Sequence, residues 1–472
     1  MKNSIVILLI SCLILFQGIN CKNQSTYNPI VASEFDLKEI IERGKLIAIT
    51  QNNSTDYFIY KGEPMGYQFE MLKNLADYLN VKLEIIVSND LDEIFEKLEN
   101  HECDIIAINL TITDKRSQLI NFSNPLSQTR QVLVQKKPEN WYNLSKLELD
   151  STIVRNPKDL AGKQVYIQRN TSHEDRLKNI SKEIGDSIHI VELDIETEEI
   201  ISKVASGEIA YAISDENVAL VNQKYYPILD INTAIGSYQD IAWGVRKGSD
   251  SLLSSINSWL EKFKNSKQHR RIYKKYFKNN KSVSIKRSEY FSSLTGKISD
   301  YDYFIKKQSK ILSWDWKLLA SLIYQESKFN HDVEAWTGAY GIMQLMPVTA
   351  ERFGVDSLST PEENIEAGVQ FIKFLEKQFN YIEAEEERIK FVLASYNVGP
   401  GHVFDAQRLA QKNGKDPNIW DDNVDIYMLK KSEPKYYRDP VVKHGYCRGK
   451  EPFDYVSEVL DRYEHYKNVV SE

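Results

Sequence analysis

Cysteine is scarce. The 472 residues hold four, at positions 12, 21, 103 and 447, and no pair has the Cys-x-x-Cys spacing of a zinc or redox centre. Neither a disulfide framework nor a metal-held core organises the chain, and one of this length buries enough apolar surface without either. An excess of positive charge is also missing. Lys and Arg number 60 against 67 Asp and Glu, a net charge of −7, so no global field exists to hold nucleic acid. Long apolar runs are absent after residue 16, well short of the roughly 20 residues that a membrane-spanning helix needs. What is present, 42% hydrophobic and 27% charged residues, is the composition of a folded globular chain and excludes a fibrous or wholly disordered one. The length predicts about three domain-sized units. No cofactor and no metal are expected.

The first 20 residues predict an export signal. Lys2 precedes an almost unbroken apolar run over 5–16, long enough for a signal-peptide core and too short for a span. Cys21 follows, and then the polar stretch Lys22-Asn23-Gln24-Ser25-Thr26. An apolar run, a Cys and a polar tether resemble a bacterial lipoprotein signal, which implies lipidation of Cys21, a tether over 21–34, and a periplasm-facing protein anchored to the outer membrane. Gly18-Ile19-Asn20 departs from the usual Leu-small-small pattern before the Cys, and an ordinary cleaved signal is the alternative. Cys103 and Cys447 are expected to be buried thiols.

From 35 to 278 short β-type runs alternate with helical ones. Lys45-Leu46-Ile47-Ala48-Ile49 and residues 82–87 read as strands, and between them Phe69, Leu72, Leu75, Ala76 and Leu79 recur at helical spacing. The alternation predicts an α/β unit with a mainly parallel sheet. A helix-turn-strand pattern occurs twice, over 94–107 and 200–213, which predicts two similar lobes facing each other across a cleft. Lobe one is expected at about 35–135 and 240–278, and lobe two at about 138–236.

Gly66-Tyr67-Gln68-Phe69-Glu70, Thr111-Ile112-Thr113-Asp114-Lys115-Arg116, Asn170-Thr171-Ser172 and Ser214-Asp215, in that order, resemble periplasmic amino-acid-binding proteins. The resemblance implies a ligand site made by Tyr67, Thr111, Thr113, Arg116, Thr171, Ser172 and Asp215. Their chemistry suits an α-amino acid or a small peptide. Arg116 offers a planar fork to a carboxylate, Asp215 takes an ammonium, and Thr171-Ser172 opens a helix whose free N–H groups favour an anion. Taken singly, the bland alternatives are a surface ion pair and plain helix caps. Asn170 stands where relatives usually carry glycine.

A basic stretch from about Lys262 runs into 279–300, expected to be a polar linker. Beyond 301 the pattern turns helical. Trp316, Leu319, Ala320 and Ile323 share a face, and Glu326 falls on that stripe near a helix C-terminus. Burial and the negative end of the helix dipole both disfavour its ionised form, as a general acid at neutral pH requires.

Gln325-Glu326-Ser327, Gly338-Ala339-Tyr340-Gly341-Ile342-Met343-Gln344, Asn364-Ile365 and Ala394-Ser395-Tyr396-Asn397 resemble the lysozyme-like domain of soluble-type lytic transglycosylases. The resemblance implies a mainly α unit over 301–472 acting on peptidoglycan glycan strands, with Glu326 as the acid and Met343, Gln344, Tyr396 and Asn397 lining the sugar sites. It also implies a 1,6-anhydro product made without a second catalytic carboxylate. Asp332 and Glu334 are near in sequence but read as solvated. Ala335 stands where many relatives carry serine, and 406–450 matches the family poorly. The first unit would then act as a sensor for an amino acid or muropeptide. Two alternatives stay open: a non-catalytic binding protein anchored to the wall by its helical part, and a hydrolytic muramidase.

Overall fold

The computed structural model describes residues 36–279, 284–285 and 288–470. The expected signal, the tether and Cys21 lie outside them. Among the described residues no helix is long and apolar enough to cross a membrane.

The α/β unit is built as its alternation predicts. Strand β1 (Lys45–Thr50) leads into a hairpin, β2 (Phe58–Tyr60) and β3 (Glu63–Met65), and then into the helix Tyr67–Leu79. Gly66 makes that entry possible: its φ is 143°, and a Cβ there would lie 2.0 Å from the Asp56 carbonyl oxygen. β4 (Lys82–Val87) and β5 (Ile105–Thr111) flank β1 in parallel. β6 (Ile120–Phe122), β7 (Ser127–Thr129) and the late strand β13 (Gln239–Arg246) complete the first sheet, in the order β4-β1-β5-β13-β6 with β7 on β13. β1 runs Leu46, Ala48 and Ile49 fully into the core, as a strand covered on both faces does.

The second lobe holds β8 (Gln131–Lys136), β9 (Gln164–Gln168), β10 (His189–Leu193), β11 (Tyr211–Asp215) and β12 (Leu229–Ala234), in the order β10-β9-β11-β8-β12. The crossing into it therefore falls between Thr129 and Gln131, not near 135. Val132, Leu133 and Val134 are fully buried in β8, between β11 and β12, and belong to the second lobe's core. The return crossing lies between Ala234 and Gln239.

The segment 279–300 also differs from a polar linker. From Phe291 onward it is packed. Phe291 is buried and bridges to Tyr60, the Ser292 hydroxyl accepts a hydrogen bond from the Ile59 N–H at 2.8 Å, and Ile298 is fully buried. Composition weighted the Lys and Ser of this stretch over its two apolar anchors.

In the helical unit, Trp316–Ser327 is the central rod. Leu318, Leu319, Ala320, Ser321, Leu322 and Ile323 are all buried, so it is enclosed on nearly every side by its neighbours, chiefly the helices Asp302–Leu312 and Lys450–Val469. The Asp315 carboxylate caps its start by accepting from the Lys317 N–H at 2.9 Å.

The two units share one apolar core, continuous from Leu72 and Trp243 in lobe one to Leu319 and Phe391 in the helical part. The C-terminal helix Lys450–Val469 seals the junction. Tyr57 Oη meets His465 Nδ1 at 2.8 Å, Tyr466 Oη donates to the Gly62 carbonyl at 2.8 Å, and Asn468 Nδ2 donates to the Ile85 carbonyl at 2.6 Å. Burial first, with Arg462 and Lys73 nearby, holds His465 down at about 4, so this contact is made by neutral groups. The β2–β3 turn presses on the central rod: a Cβ on Gly62 (φ 81°) would lie 2.5 Å from the Tyr324 ring and 2.8 Å from the Phe329 ring.

Candidate active site and ligand cleft

Glu326 is the penultimate residue of the central rod and is half-buried. Burial raises its carboxyl to about 7, against a smaller downward pull from the Tyr455 hydroxyl, which donates to Oε1. Oε1 is thereby occupied and Oε2 is left to carry the proton. Tyr455 comes from the first turns of the C-terminal helix, 129 residues away in sequence. Its hydroxyl is pushed well up, first by burial and then by the Glu326 charge, so it stays a donor.

Tyr396 stands close by. Burial and then the Glu326 charge raise it well above its ordinary value, and its hydroxyl donates to the Met343 carbonyl at 2.8 Å. That bond fixes the loop 338–346 beside the acid. Ser327 fixes the same loop from the other side, its hydroxyl donating to the Ile342 carbonyl at 2.7 Å, and Asn364 Oδ1 accepts from the Met343 N–H at 2.8 Å. Strain collects here. Lys328 (φ 53°), Phe329 (φ 61°) and Gln344 (φ 46°) are all left-handed without being glycine, at about 1–3 kcal/mol each.

The expected sugar-lining set is partly redrawn. Asn397 is exposed on the last turn of the helix Glu385–Val398, and Gln344 is half-buried with Nε2 donating to the Val333 and Gly341 carbonyls, both at 2.8 Å. The Met343 side chain does not line a groove. It is fully buried against Gly368, where a Cβ would lie 2.4 Å from its Cε, and its N–H and carbonyl are taken by Asn364 and Tyr396, so the residue anchors the loop. Asp332 and Glu334 are exposed. Ser327 and Asn364 were not singled out as loop-holders in the sequence. Neither was Trp336, which is 92% exposed on the turn between the rod and the loop. The sequence signal for it was a Trp set among Ala335, Thr337 and Gly338, outside any apolar stripe.

A strap over 431–447 closes one flank of this unit through a buried charge cluster. Asp405, on the helix Pro400–Lys412, accepts from Lys431 Nζ at 2.7 Å and from the Lys443 and His444 N–H groups at 2.8 Å each, and pairs with Arg408. The side chains of Asp405 and Lys431 are both fully buried. Burial pushes Asp405 up, but Lys431 and the two backbone donors outweigh it and hold the carboxyl well below the usual range. Cys447, the last residue of the strap, is a buried free thiol pushed up to about 11 by burial, and Cys103 is buried and free as well.

Between the two lobes lies a cavity of about 60 Å³ whose walls include Thr111, Arg116, Thr171, Ser172 and Asp215. Arg116 donates to the Thr111 carbonyl at 3.1 Å. Burial lowers its pKa while Asp215 and Asp175 hold it up. Two expected members are elsewhere. Tyr67 is buried against the helix Lys267–Tyr273, its hydroxyl 3.1 Å from His269 Nε2, because it opens a helix whose apolar face turns inward. Thr113 caps the helix Asp114–Leu119 by accepting from the Arg116 N–H, which positions Arg116 without reaching the cavity. Neither hydroxyl of Thr171-Ser172 caps the following helix: Thr171 donates to the Gln168 carbonyl at 2.8 Å, and Ser172 accepts from Gln131 Nε2 at 3.1 Å.

Sequence reading missed Asp56 and His173, which also face the cavity. Burial raises Asp56 to about 7, and His173 Nδ1 is buried without a hydrogen-bond partner. The lobes are closed on each other. Asn170 Nδ2 donates to Asp92 Oδ2 at 2.6 Å, Gln168 Nε2 to the Asn89 carbonyl at 3.2 Å, and Ser54 bonds Glu198. Asn170 takes φ 61°, the conformation that explains why glycine is usual there, and its amide uses the position to latch the lobes.

Residues 46–279 match the bacterial extracellular solute-binding proteins, family 3, and residues 302–419 match the transglycosylase SLT domain. A protein of Desulfosudis oleivorans named membrane-bound lytic murein transglycosylase F is 34% identical over 431 residues, covering 91% of this chain and 91% of that one. Its namesake in Aliivibrio fischeri is 32% identical over 434 residues, covering 91% and 84%. Among solved structures, an ancestral arginine-binding protein bound to arginine is 27% identical, covers 50% of this chain and 99% of its own, and has a TM-score of 0.43.

Proposed function

The chain belongs to the family of membrane-bound lytic murein transglycosylase F, and from that we infer that it cuts peptidoglycan glycan strands between N-acetylmuramic acid and N-acetylglucosamine. Glu326 is the acid. Oε2 protonates the glycosidic oxygen as the bond to the muramic C1 breaks. The resulting carboxylate then takes the proton of the C6 hydroxyl of the same muramic residue as O6 closes on C1, giving a 1,6-anhydro end and regenerating the acid. The reading rests on one arrangement: a half-buried carboxyl with one oxygen held by Tyr455 and the other free, while Asp332 and Glu334 nearby are exposed. Two-carboxylate glycosidases place a second acid opposite the first. Mass spectrometry of fragments released from purified sacculi tests it: anhydro ends are lighter by one water than the products of a muramidase, and fragments carrying that extra water overturn the reading.

Tyr455 is a positioning residue with a pH signature. Its hydroxyl favours the ionised form of Glu326, so Tyr455→Phe raises the acid further above about 7. The alkaline limb of the pH–rate profile is expected to move upward, because the proton is kept to higher pH. A limb left in place, with activity merely reduced, argues against this role.

The α/β unit is read as a regulatory sensor for an amino acid or a muropeptide. What supports this is the closed cleft with Arg116 and Asp215 in one cavity, and a continuous route to the acid. Asp56 faces the cavity, Tyr57 bonds His465, and the helix of His465 also carries Tyr455. Opening the lobes would shift populations along that route. Calorimetry with amino acids and stem peptides is expected to show binding, and Arg116→Ala to weaken it about 10–100-fold, the worth of a charge-assisted bond. Binding that leaves turnover unchanged removes the regulatory reading. The membrane-bound relatives support a place at the cell envelope, and Cys21, following the apolar run, is our proposed lipid anchor.

A further inference from the structure

The strap and the residues around it carry a charge that neither the fold nor the chemistry above uses. Residues 430–450 hold seven Lys and Arg against Glu433 and Asp439, in a chain whose net charge is −7. Lys431 is spent on Asp405. Among the described residues, Lys435, Arg438 and Lys443 have no carboxylate within 4.0 Å. Like charges crowded into so short a run repel one another, so their place calls for an anion.

Tyrosines join these cations into one surface. Arg438 lies 5.5 Å from the centre of the Tyr437 ring, and that ring meets Tyr446 edge-on at 5.6 Å. Tyr446 is 56% exposed and opens onto a groove of about 350 Å³ shared with Ser432, Arg448, Lys450 and Glu451. The groove ends at Asp454, next to Tyr455. From Gly449 the helix climbs six residues, about 9 Å, to the tyrosine that holds Glu326. Arg448 and Lys450 pair with Glu451 and Asp454, but these are exposed pairs of little worth that a better carboxylate can displace.

We propose that this basic, tyrosine-lined surface grips the acidic peptides borne by the glycan strand, and so selects peptide-bearing strands over bare ones. The sugars offer little charge. Their muramic residues carry peptides with free carboxylates, which suit a guanidinium fork and lysines, while tyrosine faces cover the peptide backbone. The strap is held rigid for this by the Asp405 cluster, which fixes the Lys443 and His444 backbone. The proposal rests on the lytic reading above and names a further part of the same substrate.

The test uses the full chain on two substrates: peptide-bearing strands, and the same strands stripped by an amidase. Wild type is expected to have the lower KM on peptide-bearing strands, and added NaCl to erase the difference. Arg438→Glu with Lys443→Glu is expected to raise that KM about tenfold, with kcat and the KM for stripped strands within about twofold. Arg438→Gln with Lys443→Gln, milder for folding, is expected to give a smaller rise of the same kind. Equal losses on both substrates, an unchanged KM, or weaker capture by phosphatidylglycerol vesicles with KM unchanged would each overturn the proposal, the last by making the surface a membrane contact. If wild type cleaves neither strand, the lytic reading itself fails.

Discussion

Glu326→Gln is expected to lower release of anhydro-fragments from sacculi by on the order of 10³–10⁴-fold, the upper part of the range for general acid–base catalysis. The upper part applies because one group serves both half-steps, and glutamine can neither give the first proton nor take the second. The amide keeps the shape and still accepts from Tyr455, so the loss is chemical and not architectural. Stability moves the other way. The carboxyl titrates near 7 when folded and near 4.5 when unfolded, so its contribution is fully present below about pH 4.5 and is lost as pH rises through 7. The loss comes to about 3 kcal/mol, since each tenfold difference in proton affinity between the two states is worth about 1.36 kcal/mol. Thermal melts should therefore find the variant more stable than wild type at pH 8 and little changed at pH 4. Anhydro-product formation surviving at wild-type rate would remove Glu326 from the mechanism.

Asp405→Ala carries the largest expected loss of stability, about 3–5 kcal/mol, because it leaves Lys431 buried and charged with its carboxylate gone and only the neutral His402 Nδ1, at 2.9 Å, beside it. It also frees the Lys443 and His444 N–H groups that the carboxylate holds. Replacing both charges, Asp405→Leu with Lys431→Met, should cost much less, since the burial penalty of both ions is removed along with their attraction. The pH dependence follows from the depressed Asp405 value. Its contribution is present above the ordinary carboxylate pKa and is lost as pH falls through the lower folded one, so Asp405→Ala should be less sensitive to acid below pH 4 than wild type. Denaturant melts of the single and double variants across pH decide the matter. Equal losses in both would make the cluster a matter of packing and not of charge.

Much of this architecture was readable in advance, and the reasons are local. Lys45-Leu46-Ile47-Ala48-Ile49 reads as a strand and 67–79 as a helix because one apolar stretch is short and continuous while the other repeats at helical spacing. Glu326 was legible because a carboxylate on an apolar stripe demands a reason. Side-chain direction was not legible. The motif around Met343 fixed its position but not that its side chain turns inward onto Gly368, and the order of cleft residues placed Tyr67 and Thr113 near the site without showing that one packs on His269 and the other caps a helix. Long-range partners were hidden for a related reason. Nothing within the neighbourhood of Tyr455 or Asp405 says which residue, many positions away, will meet it.

The turn at Gly62 limits how the two units can be exchanged. Glycine there lets the tip of one unit lie against Tyr324, two residues from the acid, and against Phe329 just past it, while Tyr466 closes over the carbonyl. A seam of that tightness cannot be cut and re-joined like beads on a string. A foreign receptor module put in place of this one must therefore bring a hairpin tip that fits the same seam.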